Sequence, residues 1–300
     1  MSDGAERLTA ADFDQELLVL FDAYVHGDLD RRGFLERARK FALGGMSAAG
    51  LLAALSPDFA LGQVVPPGDE RLLAQTITVP SPDGHGTIRG YLCRPAASHG
   101  PLPGVLVCHE NRGLNPHIED VARRLALEGY LAFAPDALTS LGGYPGDEDR
   151  ARALFAQLDS AKTRADFLAA ARALASRPEC NGWWGVVGFC WGGGMAHWLS
   201  TQSTGLGAAV AFYGNFPPAA DAARVKAPLL LHFAEHDERI SAAWPDYEAA
   251  LKSAGVRYEA YRYAGTQHGF NNDTTPRFDA KAAELAWGRT LSFLAGQRRS

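Results

Sequence analysis

Cys190 lies between glycines in the run Gly188-Phe189-Cys190-Trp191-Gly192, which follows a short apolar segment and precedes a segment of helical pattern. Such a run predicts a tight turn from a strand into a helix, because a β-carbon at either flanking glycine would collide with neighbouring backbone. A residue at the tip of this turn is strained and is presented to reactants. The alternative interpretation is a buried structural cysteine, since free cysteine is among the most buried residue types.

The composition favours one ordinary globular domain with some additional sequence. The chain has 300 residues, of which 47% are hydrophobic and 21% charged, enough for a sizeable core. A formal net charge of −5 and the lack of a basic cluster argue against a nucleic-acid partner, so a small-molecule substrate is expected. The four cysteines have no C-x-x-C spacing, which predicts neither a zinc site nor a disulfide framework and fits a reducing compartment; they are Cys93, Cys108, Cys180 and Cys190.

Residues 1–65 form an N-terminal part whose pattern differs from the rest of the chain. Apolar residues recur at helical spacing over residues 14–26 and again over 31–43, after a break at Gly27-Asp28. Residues 41–57 carry no charge, yet this stretch is too short and too rich in glycine for a membrane span. We therefore expect a retained helical extension that packs its small apolar face on the catalytic domain or on a second subunit, which would make a homodimer.

Part of the same region resembles a twin-arginine export signal. Arg31-Arg32 precede the uncharged stretch, and Ala60-Leu61-Gly62 has the small residues of a cleavage site. However, about thirty residues, many of them acidic, come before the arginine pair, and Glu36 follows it where a base is usual. We therefore favour a cytoplasmic protein that retains residues 1–62. The alternative is export to the periplasm, with a mature N-terminus near Gln63.

Residues 66–300 alternate strand-like and helix-like segments, which predicts an α/β fold with helices on both faces of a mostly parallel, eight-stranded sheet. The predicted strands cover residues 75–79, 88–93, 104–109, 130–134, 185–189, 208–213, 228–234 and 257–262. The predicted helices cover residues 116–128, 147–176, 191–203, 241–254 and 278–295. No internal repeat or low-complexity tract divides this region, so we treat it as one catalytic domain.

Two downstream segments carry the acid and the base that a cysteine nucleophile needs. Asp237 follows one predicted strand and His268 follows the last one, so the acid precedes the histidine, as it does in α/β-hydrolases. The predicted helix N-terminus at Cys190 would favour the thiolate, because unpaired backbone N–H groups and the helix dipole stabilise negative charge. Glu235 and Glu238 are alternatives for the acid.

The loop 108–116, after an early strand, is expected to help stabilise an oxyanion. Acyl transfer places negative charge on the carbonyl oxygen, so two backbone donors are expected, the N–H of Trp191 and the N–H of Asn111. Glu110 in the same loop needs a polar partner, because a carboxylate at the end of an apolar strand is costly to desolvate. Its alternative interpretation is a loop acid paired with Arg112.

Together these motifs resemble the dienelactone hydrolase family, the carboxymethylenebutenolidases, over about residues 70–295. The resemblance rests on the run from Gly188 to Gly193, on Asp237, on His268-Gly269-Phe270 and on Glu110, which stand in family order. It implies an α/β-hydrolase fold and the hydrolysis of small esters or lactones through an acyl-enzyme, with no cofactor or metal.

The resemblance also implies a role for each site residue. Glu110 would hold the thiol in a poorly reactive state and would accept its proton when substrate displaces it. The remaining roles are a triad of Cys190, Asp237 and His268 and an oxyanion hole of Trp191 and Asn111.

The anion-binding site of the family does not transfer to this chain. Members that hydrolyse dienelactone carry arginines for its carboxylate, one of them shortly after the catalytic histidine, whereas here no arginine follows His268 before Arg277. Arg112 is our hypothesis for the missing group. A second hypothesis for the function is a non-hydrolytic thiol redox or ligand-binding protein on the same fold, in which Cys190 is oxidised or caps a pocket.

Overall fold

The computed structural model describes residues 7–42 and 46–298. In these ranges the chain forms eight strands: β1 (Leu72–Ser81), β2 (Gly86–Pro95), β3 (Leu102–Cys108), β4 (Leu131–Pro135), β5 (Cys180–Phe189), β6 (Ala208–Phe212), β7 (Leu229–His236) and β8 (Tyr258–Gln267). The helices of the same ranges are α1 (Gln15–His26), α2 (Arg31–Ala38), α3 (Ala48–Leu55), α4 (Pro116–Leu127), α5 (Glu148–Phe155), α6 (Ser160–Ala175), α7 (Trp191–Gln202), α8 (Glu238–Ser253) and α9 (Ala280–Gln297).

The strands form one sheet in the order β1-β2-β4-β3-β5-β6-β7-β8. Only the pairs β1/β2 and β2/β4 are antiparallel, and every pair from β4 to β8 is parallel. The central strands carry almost continuous apolar runs, as parallel strands covered on both faces do; all five residues of β6 are buried. The predicted α/β fold and its eight-stranded, mostly parallel sheet are confirmed.

Helices cover both faces of the sheet. On one face α6, α7 and α8 contribute side chains such as Phe167, Leu199 and Leu251 to a buried cluster. On the other face α4 and α9 contribute Val121 and Leu294 to a second cluster. Since parallel strands share one direction, the carboxyl ends of β3, β5, β7 and β8 meet at the same edge, where loops from all four can converge.

Two predicted helices differ from the structure. The helix predicted over 147–176 is wrong as a single element, because it is divided into α5 and α6. Asp159 lies at the division, and its side chain accepts hydrogen bonds from the backbone N–H groups of Ala161 and Lys162, so it begins a new helix. The helix predicted over 31–43 ends at Ala38 and continues as a short 3₁₀ turn; residue 43 lies outside the described residues.

The N-terminal helices α1, α2 and α3 pack against one another around a small apolar cluster of their own. Phe21, Phe34 and Leu55 are buried in it. The segment that follows lies along the sheet domain: the N–H of Asp58 donates to the carbonyl of Thr274 over 2.7 Å, and the N–H of Val65 donates to Asp120 over 2.7 Å. The N-terminal helices are thereby tied to the rest of the structure, while the division at residues 65 and 66 stays a prediction.

No helix in residues 7–42 and 46–298 has the length and apolar character that crossing a bilayer requires.

Candidate active site

The turn at Cys190 has the geometry that its glycines predict. Cys190 joins the end of β5 to the start of α7 with φ 53° and ψ −115°, a strained conformation for a residue with a side chain. A β-carbon at Gly188 would lie 1.9 Å from the carbonyl oxygen of Gly192. A β-carbon at Gly192 would lie 2.1 Å from the carbonyl oxygen of Cys108 on β3. Backbone contact on both sides therefore fixes where the sulfur points.

The loops after β7 and β8 bring an acid and a histidine to the same edge. Asp237 begins α8, where its carboxylate accepts a hydrogen bond from the N–H of Ile240, and it bonds His268 Nδ1 over 2.6 Å. Glu235, one alternative for the acid, accepts from the N–H of Gly265 instead. His268 is 3% exposed, and its Nε2 has no hydrogen-bond partner among the described residues. The structure thus places Asp237 against His268, and a ring nitrogen of His268 within 4.8 Å of Cys190 Sγ.

A second histidine, His26 at the end of α1, also reaches the thiol. Its Nε2 lies 3.5 Å from Cys190 Sγ, and its ring meets the ring of His268 edge-on, with centroids 4.6 Å apart. The Nδ1 of His26 bonds the carbonyl oxygen of Asp22 over 2.8 Å and lies 3.3 Å from the Asp22 carboxylate. The sulfur of Cys190 and one ring nitrogen each of His26 and His268 all lie within 4.8 Å of one another.

Residues 22–26, called here the α1 end, are held by polar side chains of the sheet domain. The carbonyl of Val25 accepts from Asn111 Nδ2 over 2.8 Å and from Arg112 over 3.3 Å. The carbonyl of Tyr24 accepts from Arg152, whose guanidinium also lies 3.7 Å from the centre of the Tyr24 ring. The last carbonyls of a helix have no partners within it, and cations are favourable there. The docking therefore satisfies groups that the helix itself leaves unpaired.

The loop after β3 positions Glu110, Asn111 and Arg112 at the site. Glu110 accepts a hydrogen bond from Asn272 Nδ2 over 3.0 Å. Arg112 lies 3.5 Å from Glu148 and bonds the side chain of Asn111 over 2.6 Å. Among the described residues, Glu110 thus takes its hydrogen bond from Asn272 and Arg112 its ion pair from Glu148, while the charge of Glu110 still acts on Arg112, so the alternative interpretation of Glu110 stays open.

The charges at the site favour a thiolate beside an imidazolium. Burial disfavours the thiolate, but His268 and then His26 outweigh it and lower the pKa of Cys190 to about 6. Burial also disfavours a charged His268, but Asp22 and the thiolate raise the pKa of His268 to about 10. In the same way the thiolate and Asp22 overcome burial and raise the pKa of His26 to about 9. These groups titrate as a coupled set, with the sulfur as its negative member near neutral pH.

The cavity beside the thiol is small. Its volume is about 40 Å³, and its wall combines Cys190 and His268 with residues of α1, among them Phe21, Tyr24 and Val25. Pockets that hold small-molecule ligands usually measure about 300–1,000 Å³. With α1 in this position, the space at the sulfur admits a few atoms and excludes an ester substrate.

The sequence model of the dienelactone hydrolase family matches residues 88–297, which contain the Cys190 turn, Asp237 and His268. The chain belongs to the dienelactone hydrolase family. A second sequence model, described as YqhI-like, matches residues 5–43, the region of α1 and α2.

Similar proteins agree with this assignment. The chain is 34% identical to a protein of Escherichia coli K12 named "Putative carboxymethylenebutenolidase" in an alignment of 247 positions that covers 77% of this chain and 89% of that one. It is 54% identical to the E. coli K12 "Putative hydrolase fragment YghX" over 114 residues, 38% of this chain and 97% of the fragment.

Solved structures show the same fold. A "Putative Dienelactone Hydrolase" from Klebsiella pneumoniae is 30% identical and superposes with a TM-score of 0.68, over 75% of this chain and 98% of that one. An esterase from Pyrobaculum calidifontis superposes with a TM-score of 0.63 over 96% of this chain and 99% of that one; at 19% identity it shows the fold alone. The predicted family and its hydrolase activity toward esters and lactones are confirmed.

Sequence reasoning missed the α1 end. Residues 14–26 carry the helical pattern and Gly27 marks its end, and both features are confirmed by α1, which ends with Gly27 at φ 89°. Nothing in that pattern indicates that His26 meets Cys190. The match to the dienelactone hydrolase family gives no signal for His26 either, because it begins at residue 88, after α1.

Proposed function

We propose that the protein hydrolyses small esters or lactones with Cys190 as nucleophile, Asp237 as the acid and His268 as the proton carrier. The observation that carries the proposal is the geometry of His268. Its Nδ1 is held by Asp237 at 2.6 Å, and its Nε2 is buried without a partner, within 4.8 Å of the thiol sulfur. One water or a small closing movement brings this imidazole to the nucleophile, since sites without substrate are often looser than the contact that proton transfer needs.

The steps follow from these positions. The thiolate of Cys190 attacks the carbonyl carbon, and its electron pair forms the S–C bond while the carbonyl π pair moves onto the oxygen. When the tetrahedral intermediate collapses, the C–O bond breaks and His268 gives its proton to the leaving alkoxide. His268 then takes a proton from water, whose oxygen attacks the thioester, and the carboxylic acid leaves as the thiolate is restored. Asp237 holds the imidazole in the tautomer that these steps need.

The oxyanion would be stabilised by the backbone N–H groups of Trp191 and Asn111. Trp191 is the first residue of α7, where backbone N–H groups have no partner within the helix. Its ring stacks on His109, with centroids 5.3 Å apart and an interplanar angle of 16°, which supports a fixed position for this part of the backbone.

Glu110 and His26 would control the protonation of Cys190 before substrate binds. Both Glu110 and Cys190 line the cavity, which supports a role for Glu110 in accepting the thiol proton from the protonated form of Cys190, which predominates below pH about 6. His26 contacts the sulfur and contributes to its low pKa, so it stabilises the thiolate together with His268.

Arg112 is proposed to meet a negatively charged substrate group. It lines the same cavity as Cys190, which supports the assignment. Its charge is partly balanced by Glu148 at 3.5 Å, so the preference for an anionic substrate would be modest. Because the cavity is too small for an ester, entry of any substrate requires the α1 end to move away from the sulfur.

Ester hydrolysis by matched variants tests the proposal. With p-nitrophenyl acetate we expect a burst of p-nitrophenol followed by turnover in the full chain, and a loss of more than about a thousandfold in Cys190→Ala and in His268→Ala. The matched controls are Cys180→Ala, which removes another buried cysteine, and His236→Ala, which removes an exposed histidine next to Asp237.

Two outcomes would contradict the proposal. Turnover that persists in Cys190→Ala would assign the chemistry to another nucleophile. No burst and no turnover with any ester would favour a thiol redox or ligand-binding role for Cys190. Homodimerisation through the N-terminal helices and a cytoplasmic location stay predictions; a truncation that begins at Val65 with a measurement of molecular mass tests the former, and the intact mass of native protein tests whether residues 1–62 are retained.

A further inference from the structure

We propose that Cys190, His26 and His268 form a binding site for a soft divalent cation such as Zn²⁺, and that the bound ion fastens the α1 end over the sulfur and stops hydrolysis. The inference rests on the proposed function only where it concerns inhibition. Binding of the ion depends on the three side chains alone.

The donor atoms have the spacing that zinc requires. One thiolate sulfur and two imidazole nitrogens are ligands that Zn²⁺ prefers, at about 2.3 Å and 2.0–2.1 Å, which places sulfur and nitrogen about 3.6 Å apart at a tetrahedral angle. The observed distance from Cys190 Sγ to His26 Nε2 is 3.5 Å. Since all three donor atoms lie within 4.8 Å of one another, a small closing movement of the His268 ring completes the set.

Both imidazoles are oriented as metal ligands usually are. A histidine that binds a metal through one ring nitrogen commonly donates its other N–H to a carboxylate or a backbone carbonyl. His268 bonds Asp237 through Nδ1, and His26 bonds the carbonyl of Asp22 through Nδ1, so each presents Nε2 to the sulfur. Apart from the Cys190 sulfur, with which it interacts, the buried Nε2 of His268 has no partner among the described residues, so it is free to bind an ion placed between the two.

The charges around the site oppose as well as favour a cation. Asp22 and Asp237 lie one imidazole away from it, and the thiolate is itself a ligand. Arg239 competes, because its guanidinium lies 3.1 Å from His26 Nε2, and Arg277 lies 3.2 Å from Asp22. Arg239 is exposed and also bonds the side chain of Asn215, so it can leave His26 and keep a partner.

The space at the sulfur fits an ion better than a substrate. A cavity of about 40 Å³ holds a metal ion with a water on its fourth position. Coordination uses the thiolate and two neutral imidazoles, so the Nε2 protons of His26 and His268, and any thiol proton, are released to solvent as the ion binds. The sulfur electron pair and the Nε2 lone pair of His268 are then engaged by the metal, so neither attack nor proton transfer proceeds. Because His26 belongs to α1, the same ion keeps α1 over the cavity.

Cobalt binding to the full chain tests the site independently of catalysis. Protein treated with a chelator and then freed of it is titrated with Co²⁺, whose bond to a thiolate gives a charge-transfer absorption band. We expect one ion per chain in the wild type, displacement by Zn²⁺, and no such band in Cys190→Ser. In His26→Gln the affinity should fall at least about tenfold, since even loss of a group that orients a ligand costs about 10–100-fold. His236→Gln, an exposed histidine outside the donor set, is the matched control and should bind as the wild type does.

Inhibition is measured on the same preparations. Zn²⁺ should stop p-nitrophenyl acetate hydrolysis, a chelator should restore it, and His26→Gln should require at least about tenfold more Zn²⁺. Absence of the cobalt band in the wild type, or equal affinity in wild type and His26→Gln, overturns the proposed site. Hydrolysis without metal binding leaves the proposed function standing and removes the site. A cobalt band without hydrolysis of any ester supports the metal site and contradicts the proposed function.

Discussion

The two parts of the molecule that meet at the Cys190 sulfur are held in different ways. The turn after β5 is fixed by backbone against backbone, since no β-carbon fits at Gly188 or Gly192. The α1 end is held by side chains, with Asn111 and Arg112 on the carbonyl of Val25 and Arg152 on Tyr24. Close-packed backbone has no nearby alternative arrangement, whereas partly buried side-chain hydrogen bonds can be replaced by bonds to water when the helix moves. The position of Cys190 is thus rigid, whereas His26 can move away from the sulfur together with the α1 end.

The largest expected effect comes from disturbing the rigid part. In Gly192→Ala the new β-carbon would lie 2.1 Å from the carbonyl oxygen of Cys108, so β3 and α7 must separate. We expect the free energy of unfolding to fall by more than about 3 kcal/mol and esterase activity to be lost, because overpacking and strain act together. Urea unfolding with an activity assay measures both.

Gly288→Ala is the matched control for that substitution. Gly288 lies in α9, and a β-carbon there would meet nothing within 4 Å. The same chemical change should stabilise this helix by about 0.5–1 kcal/mol, since alanine is the better helix former. Equal effects at positions 192 and 288 would show that the turn is not held by backbone contact.

The next effect concerns the thiolate. In the wild type Cys190 is a thiolate above pH about 6, so alkylation by iodoacetamide and the rate of acylation should both fall as pH drops through about 6. His26→Gln removes one of the two positive groups that favour the charged sulfur, and the pKa of Cys190 should rise by about one unit or more. The pH dependence of alkylation measures it, with His236→Gln as the control. A profile that does not move in His26→Gln would show that His26 does not act on the sulfur.

The contrast between the two parts also explains what the sequence predicts. The turn, the acid and the histidine each follow a strand and carry a local signal, so Cys190, Asp237 and His268 are predictable from the chain. His26 lies 164 residues before Cys190, and its place depends on how α1 docks on a finished domain. Helical periodicity reports which face is apolar and says nothing of which polar groups meet the last carbonyls. The division between α5 and α6 was missed for a related reason, because Asp159 fits a helical pattern until its side chain caps the backbone.

A smaller effect, of opposite sign, should follow from loosening the α1 end. Arg152 bonds the carbonyl of Tyr24 and lies 3.7 Å from the centre of its ring, contacts worth about 1–2 kcal/mol together. Because substrate entry requires α1 to move, Arg152→Ala should raise kcat/KM for p-nitrophenyl acetate several-fold and speed alkylation of Cys190. Arg150→Ala, at an exposed position of the same helix, is the control. A decrease in both rates would mean that α1 supports catalysis in its docked position.

The smallest effect belongs to Arg112, which touches both parts. It donates to Val25 and lies 3.5 Å from Glu148, so its replacement should loosen α1 and also remove a half-balanced charge from the cavity. The loosening acts on every substrate alike, whereas the charge acts on anionic ones. The ratio of KM values for an anionic ester and its neutral analogue therefore isolates the charge. We expect Arg112→Ala to raise that ratio two- to fivefold, about 0.5–1 kcal/mol, as a partly screened interaction gives. An unchanged ratio would assign Arg112 to docking of α1 alone and leave the substrate carboxylate, if there is one, to another group.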